Sequence, residues 1–331
     1  MKISTHMFEN LKNSLRGIQI KFKRFRKSPR GKKIIKYLTY AAQALIVLII
    51  GIQLTDIGWG RILNALPTTP WFYVLFLFIY FLLPLSEALA YKITWGIPYW
   101  KSLSIFIKKR IFNKDVMGYS GEIVLMQWAS LHTQKKKKQI FKDVRDMNII
   151  SSAASTIIAF GLLGILFLTG QIKALDQFIQ RDFLSGTSLI DYAIVGLIAI
   201  ILIAVIARFR KYLFSMPAMT SFKVFSIHSI RMIVLYAAQI LQWHLVLPDI
   251  SLEIWFTFLS VNIIISRIPI IPSQDLVATG TNIEIAKVLQ VPVAPVTGIF
   301  LVHDVLGKLL NFGLYLLLTI TGKREKSDMV L

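Results

Sequence analysis

The 331-residue chain contains no cysteine, which excludes disulfides and thiolate chemistry. It also lacks the phosphate-binding loop G-x-x-x-x-G-K-[ST], the dinucleotide fingerprint G-x-G-x-x-G and the zinc-binding helix H-E-x-x-H. Its five histidines are scattered and offer no metal pair, apart from His303 beside Asp304. The sequence shows no grouping of acid, base and nucleophile residues of the kind an enzyme needs. We therefore predict no cofactor, no metal site and no enzymatic activity.

Acidic residues are few. The chain has 17 Asp and Glu against 38 Lys and Arg, for a formal net charge of +21. A basic excess can indicate nucleic-acid binding, but here the basic residues flank apolar segments. Such juxtamembrane clusters are typical of topology signals and of contacts with anionic lipid head groups. We therefore predict membrane lipids, and no nucleic acid, as partners.

The chain is more apolar than a soluble domain of this length can be, since 55% of the residues are hydrophobic and the mean hydropathy is +0.62. The apolar residues form long runs. Seven runs reach the length of about 18 residues that a helical membrane crossing needs. The sequence predicts an all-α polytopic membrane protein with about seven or eight transmembrane helices, two of its segments being broken or re-entrant. The seven runs are Tyr37–Leu54, Trp71–Tyr91, Ile149–Gly170, Ser188–Ala207, Ile230–Leu247, Ile254–Ile271 and Val293–Thr321.

Charge placement predicts the orientation. If the N-terminus is cytoplasmic, 28 Lys and Arg fall on the cytoplasmic side of the first six runs and three on the other side. The predicted organisation is a basic cytoplasmic arm (1–36), a transmembrane domain (37–322) and a short tail (323–331). Seven crossings put the basic tail outside, whereas separate crossings by Leu276–Val302 and Val305–Thr321, hinged around Asp304 and Gly307, would return it to the cytoplasm. Both alternatives remain open.

The first predicted break is Ile111–Leu131, which has basic clusters on both sides and therefore enters and leaves the membrane on one side. Gly118 and Gly121 allow close backbone turning, and Glu122 lies where a second short helix would begin. We predict a re-entrant pair of helices with a polar pocket at Glu122. The alternative is an interfacial helix on which Glu122 is solvated.

The second predicted break follows the sixth apolar run, which two prolines end. Asp275 is placed as an N-cap for the short segment Leu276–Gln290, which cannot cross a membrane alone. Glu284 can contribute a carboxylate to the site or pair with Lys287 on the helix surface.

Polar residues within the later apolar runs are the third feature, because each is costly unless it faces protein or water. They predict a hydrophilic cleft in which Arg231 binds phosphate, or else interhelical hydrogen bonds with Arg231 extending to the membrane surface. Asp304 and Lys308 are spaced for an ion pair within one helix. Residues that share a face are His228, Arg231, Gln239 and Gln242 on one helix, Asn262 and Ser266 on the next, and Asp304, Lys308, Asn311 and Tyr315 on the last.

Three segments resemble the lysylphosphatidylglycerol synthase transmembrane-region family. Val47–Trp95 resembles its opening hairpin, Gly118–Glu122 its Pro-Gly-x-x-Gly-Glu element with Met117 in place of proline, and Pro269–Val291 lies where its Pro-Gly-Gly-x-Gly-x-x-Glu element is found. In the last of these, Ser273 and Gln274 replace two glycines. The similarity covers roughly residues 40–320 of this sequence. It implies a flippase-like domain that moves anionic or aminoacylated phospholipids, or lipid-linked sugars, between leaflets. The aminoacyl-transferase half has no counterpart here, so synthase activity is not expected.

The predicted function is therefore a lipid flippase-like transporter in the bacterial inner (plasma) membrane, acting without nucleotide and alone or with a membrane-protein partner or a second copy. The alternative is a non-transporting scaffold or regulator of an enzyme of lipid or envelope biosynthesis. The predicted substrate-binding or translocation residues are Gly118, Gly121, Glu122, Arg231, Asp275, Glu284, Asp304 and Lys308.

Overall fold

The computed structural model describes residues 59–116, 119–169, 215–268 and 273–328, together with four single helical positions before residue 59. Every regular element within these ranges is helical, which agrees with the predicted fold class. The basic arm, almost all of the first apolar run, the whole fourth run and the candidate residue Gly118 lie outside the described residues.

The four ranges from residue 59 onward contain nine α-helices, and a π-helical stretch, Phe112–Val116, extends the third of them. We number them in chain order as α1 (Trp59–Asn64), α2 (Pro70–Trp95), α3 (Tyr99–Ile111), α4 (Ser120–His132), α5 (Lys137–Leu168), α6 (Ala218–His244), α7 (Leu252–Ser266), α8 (Gln274–Val288) and α9 (Val293–Asp328).

Four of these helices are long and apolar enough to cross a membrane, namely α2, α5, α6 and α9. They overlap four of the predicted apolar runs, and they expose large side chains such as Phe160, Ile233 and Leu317, as lipid-facing helices do. The described part of the chain is thus all-helical and has the long apolar helices of an integral membrane protein.

Two predictions about the last spans need correction. The sixth run forms α7, which has 15 residues and stops at Ser266, because the residue before Pro269 is disfavoured in a helix. The predicted hinge around Asp304 and Gly307 is wrong, since α9 runs without interruption from Val293 to Asp328. A glycine inside a helix costs about 1 kcal/mol and does not by itself break it.

Two apolar clusters hold the helices together. One contains Trp243, Trp255, Phe258 and Phe300 and joins α6, α7 and α9. The other packs Tyr91 of α2 against α3 and also includes residues of α4, α5 and the start of α6. Because α2, α5 and α6 contribute to both clusters, these three helices form the frame that carries the short helices α3, α4, α7 and α8.

The buried carboxylate of Asp146 fixes the start of α6 against α5. Its Oδ2 accepts hydrogen bonds from the backbone N–H of Ser215 at 2.7 Å, from that of Met216 at 3.0 Å and from the Ser215 hydroxyl at 2.7 Å. Backbone N–H groups just ahead of a helix favour an anion. This contact sets the position of α6, and with it that of His228 and Arg231.

Candidate functional site

The two predicted breaks are the starting point of the site. The first is the π-helical stretch after α3, which leads to Tyr119, a non-glycine residue with a φ of 67°. The second precedes α8, where Ser273 has a φ of 53°. Left-handed backbone is uncommon for residues other than glycine and is concentrated at functional sites. Asp275 was predicted to cap α8, but Ser273 holds the N-cap position and Asp275 lies inside the first turn.

An ion pair joins the two breaks. Lys114 Nζ of the π-helical stretch lies 2.8 Å from Asp275 Oδ2 at the start of α8. The Asp275 carboxylate and the Lys114 ammonium carry opposite charges, so they attract one another across the two breaks.

The same stretch also contacts α9. Asp115 accepts a hydrogen bond from Lys308 Nζ at 2.7 Å and one from Asn311 Nδ2 at 2.6 Å, and Tyr80 of α2 donates to the Asn311 side chain. The predicted pairing of Lys308 with Asp304 is therefore wrong, because Lys308 binds Asp115, 193 residues away in the sequence. Asp304 instead accepts a hydrogen bond from Thr279 at 2.8 Å.

Two cavities meet at the Lys114–Asp275 pair. The inner cavity, of about 260 Å³, lies among α6, α7, α8 and α9. The outer cavity, of about 910 Å³, lies between the first break, the start of α8 and α9. Lys114, Gln274, Asp275 and Asp304 line both of them, so the ion pair lies on the boundary between the cavities.

The two cavities differ in their other lining residues. The inner cavity adds amide and hydroxyl groups from Gln239, Asn262 and Ser266 and the guanidinium of Arg267. Arg267 donates to the backbone oxygen of Ser155 at 2.9 Å. The outer cavity adds apolar side chains of α9, among which Val305 and Leu309 are exposed. Beyond the shared charges of the boundary, the inner cavity thus adds amides and one guanidinium, and the outer cavity adds the Asp115–Lys308 ion pair and an apolar wall.

A separate buried charge cluster lies behind the first break. Lys109 of α3 contacts the carboxylate of Glu87 in α2, and its Nζ lies 3.5 Å from Glu122 Oε1 in α4. The three residues are only 3%, 7% and 7% exposed. A buried ammonium between two carboxylates is costly unless each partner is present, so these residues stabilise one another.

Gly121 allows this cluster to form. A Cβ atom at residue 121 would lie 2.2 Å from the backbone oxygen of Lys109. The backbone N–H of Gly121 also donates to Asn113 Oδ1 at 2.7 Å. The predicted role of Gly121 in close turning thus has a physical reason, which is direct packing of α4 on the backbone of α3.

The structure brings together some predicted site residues and separates others. Asp275, Asp304 and Lys308 line the cavities, whereas Glu122 lies in the buried cluster. Arg231 donates to the Ser155 hydroxyl at 3.0 Å and lines neither cavity. Glu284 lies on the outer surface of α8 and pairs with Lys287 at 2.9 Å, the surface pairing predicted as its alternative.

Sequence reasoning missed five residues of these two sites. Glu87 had a usable signal, since a carboxylate inside an apolar run is rare without a role. Lys109 was assigned to a cytoplasmic basic cluster, yet it is buried. No local pattern distinguishes Asn113, Lys114 or Asp115 from an ordinary polar turn. The partners of Lys114 and Asp115 are distant in the sequence, and Asn113 contacts Gly121 and Glu122 across the turn.

Comparisons of the chain with family models, with curated proteins and with solved structures found no match. Membership of the lysylphosphatidylglycerol synthase transmembrane-region family therefore remains a prediction, resting on the motifs quoted above.

Proposed function

We propose that this chain is a membrane transporter of the lipid flippase type, a divergent relative of the lysylphosphatidylglycerol synthase transmembrane region. The observation that carries the proposal is an ionic cavity located where two helix breaks meet, beside four long apolar helices. Irregular backbone and charge within the membrane are tolerated where they line a cavity, and in transporters they bind the substrate.

The lining residues favour a lipid head group as the substrate. Lys114 and Arg267 supply cations for a phosphate, and Asn262 and Gln239 supply amides for further polar groups. The exposed apolar side chains of Val305 and Leu309 lie on the outer cavity. A head group can therefore enter the polar boundary while its acyl chains stay in the hydrocarbon, as an anionic phospholipid or a lipid-linked group requires.

The Lys114–Asp275 pair is the gate in this proposal. It links the two breaks and lies between the cavities, so separating its members connects them. A phosphate that binds Lys114 competes directly with Asp275 for the ammonium. The head group then opens its own path, and the pair closes again after release, so movement between leaflets needs no nucleotide.

The remaining membrane arrangement is part of the same proposal. The helices α3 and α4 form a re-entrant hairpin, and α8 forms the second half-spanning segment. With the undescribed apolar runs, the chain makes about seven crossings in the inner membrane, with its N-terminus in the cytoplasm.

Charge reversal of the gate tests this function. Purified protein in vesicles with a fluorescent anionic phospholipid should exchange lipid between leaflets. Asp275→Lys alone should speed exchange about tenfold, which corresponds to about 1.4 kcal/mol in the barrier, because two like charges hold the gate open. Lys114→Asp alone should slow exchange about tenfold or more, because it removes the cation that binds the phosphate. The double variant should return toward the wild-type rate, because it restores an attractive pair in reversed order and again supplies one cation at the boundary.

The exposed Glu284–Lys287 pair provides the matched comparison. Its double charge reversal should leave the exchange rate unchanged, because neither residue lines the inner or the outer cavity. If this reversal changes the exchange rate while the single reversals at Lys114 and Asp275 do not, the acidic residue of the second break is Glu284 and the gate is wrong. If the wild-type protein exchanges no lipid, the transport function fails and the scaffold alternative gains support.

A further inference from the structure

We infer that Arg231 and Arg267 together form a phosphate site on the inner side of the Lys114–Asp275 gate, and that this site takes the phosphodiester of a lipid head group. The inference rests on the proposed function for its ligand, and it names the place where the phosphate binds once the gate has opened. Arg267 lines the inner cavity, and Arg231 lies behind it.

The two arginines converge on one residue of α5. Arg231 of α6 donates to the Ser155 hydroxyl at 3.0 Å. Arg267 follows the end of α7 and donates to the backbone oxygen of the same serine at 2.9 Å. Three helices therefore bring two guanidiniums to one point of the bundle, where their like charges repel.

Neither guanidinium forms an ion pair with a described carboxylate, since the ion pairs of the described residues involve other cations. Glu87 is a carboxylate whose charge acts on Arg231, but it contacts Lys109. Arg231 lies near the middle of α6, which is long enough to cross a membrane. A cation at that depth is costly unless an anion compensates it, so the pair of arginines favours an anionic ligand.

Both guanidiniums have hydrogen-bond donors to spare. The Nε–H groups of Arg231 and Arg267 are buried, and no described residue accepts a hydrogen bond from either. Arginine presents five N–H donors in a planar fork that matches the oxygens of a phosphate. A phosphate between the two side chains can accept from both forks, which a single hydroxyl such as that of Ser155 cannot do.

The inner cavity supplies the rest of the site. Arg267 lines it together with Tyr236, Gln239 and Ser266, and the Tyr236 hydroxyl lies beside the Arg267 guanidinium. These hydroxyl and amide groups suit the ester oxygens and polar substituents of a head group. Lys114 lines the same cavity at its boundary with the outer one, so a phosphate can pass from Lys114 to the arginines within polar surroundings.

The acidic residues of the inner cavity are held at the gate. Asp275 pairs with Lys114 at 2.8 Å, and Asp304 accepts a hydrogen bond from Thr279 at 2.8 Å. Both carboxylates also line the outer cavity. A phosphate at Lys114 therefore competes with Asp275, whereas no described carboxylate competes for the two arginines. This difference favours transfer of the phosphate from the gate to the arginine site.

Binding to the purified protein in a neutral detergent tests the site. The probes are inorganic phosphate and dihexanoylphosphatidylglycerol, a short-chain lipid with an anionic phosphodiester, each titrated calorimetrically at constant ionic strength. The wild-type protein should bind the lipid, and Arg231→Met and Arg267→Met should each weaken this binding about tenfold or more. Arg61→Met removes an exposed arginine of α1 and should bind as the wild-type protein does.

The two probes separate the two sources of a phosphate group. Tighter binding of the lipid than of inorganic phosphate assigns the site to a head group. Binding of inorganic phosphate alone, lost in both arginine variants, would make this a site for free phosphate and overturn the head-group assignment. Equal lipid affinity in the wild-type protein, Arg231→Met and Arg267→Met would overturn the site itself.

Thermal unfolding distinguishes a ligand site from a purely structural pair of arginines. The short-chain lipid should raise the melting temperature of the wild-type protein and leave that of Arg231→Met unchanged, because a ligand stabilises only the protein that binds it. Ser155→Ala removes a hydrogen bond but keeps both cations, so it should retain the shift. If Arg231→Met retains the shift as well, the arginine is structural. Should Arg231→Met not fold, Arg231→Lys keeps the charge without the fork and should bind the lipid more weakly.

Lipid exchange in vesicles separates this inference from the proposed function. Arg231→Met and Arg267→Met should exchange lipid about tenfold more slowly than the wild-type protein and Arg61→Met. If the two arginines bind the lipid but the wild-type protein moves none, the transport function fails while the phosphate site stands. If the wild-type protein moves lipid and both arginine variants bind and exchange it equally well, the phosphate site is wrong and the flippase function stands.

Discussion

Replacing Lys109 by methionine is expected to lower the free energy of unfolding by about 3–5 kcal/mol. Lys109 is 3% exposed and lies between Glu87 and Glu122. Methionine keeps the length and the apolar stem of the side chain but removes the charge, so two carboxylates remain buried without their nearest ammonium. The melting temperature of the purified protein in detergent, followed by tryptophan fluorescence, should fall sharply.

The control for this change is Lys101→Met, which removes an exposed lysine from the same helix. It should shift the melting temperature little, because a solvated charge contributes little to stability. A triple variant that also carries Glu87→Gln and Glu122→Gln should recover much of the loss, since it leaves no buried charge in the cluster. Equal melting temperatures for Lys109→Met and Lys101→Met would contradict the buried ion cluster.

Gly121→Ala is expected to cost about 3 kcal/mol, at the upper end of overpacking effects. The added Cβ atom would lie 2.2 Å from the backbone oxygen of Lys109. Backbone atoms cannot rotate away as the tip of a side chain can, so α3 and α4 must separate. Separation weakens the bond between the Gly121 N–H and Asn113 and moves Lys109 away from Glu122. The variant should therefore lose both stability and lipid exchange.

Gly161→Ala is the matched control, since a Cβ atom at residue 161 of α5 meets no atom within 4 Å. Alanine favours a helix over glycine by about 1 kcal/mol, so this variant should melt at the wild-type temperature or slightly above it. If Gly121→Ala behaves in the same way, α3 and α4 are not in the close contact described above.

The fold could be predicted where a single physical rule decides it. Helices α2, α5, α6 and α9 follow from the lengths of apolar runs, because lipid leaves the backbone no other partners. The bounds of α7 could not be read from hydropathy, since the apolar run continues beyond the residue where the helix stops. The continuity of α9 was missed because Asp304 was treated as a hinge, whereas Thr279 of α8 binds it in place.

The site could be predicted only in outline. Breaks near residues 118 and 273 follow from glycine, proline and charge placement, and Asp275, Asp304 and Lys308 do lie together. Their partners were beyond sequence reasoning. Lys308 lies one helical turn from Asp304 but pairs with Asp115. Lys109 lies in a run of basic residues that is typical of a solvated surface, but its side chain is buried against Glu87. These pairings depend on tertiary packing, which a single sequence does not encode in any local pattern.

Cysteine labelling tests most directly whether the two breaks meet around a hydrated ionic cavity within the membrane. Because the chain has no cysteine, a single cysteine gives a signal without background. Ala278 lines the inner cavity, and Ile157 is an exposed apolar residue of the span α5. A membrane-impermeant thiol reagent should modify Ala278→Cys in intact membranes and leave Ile157→Cys unmodified. Equal resistance of both positions, with both becoming reactive only in detergent, would contradict a water-filled cavity between the breaks.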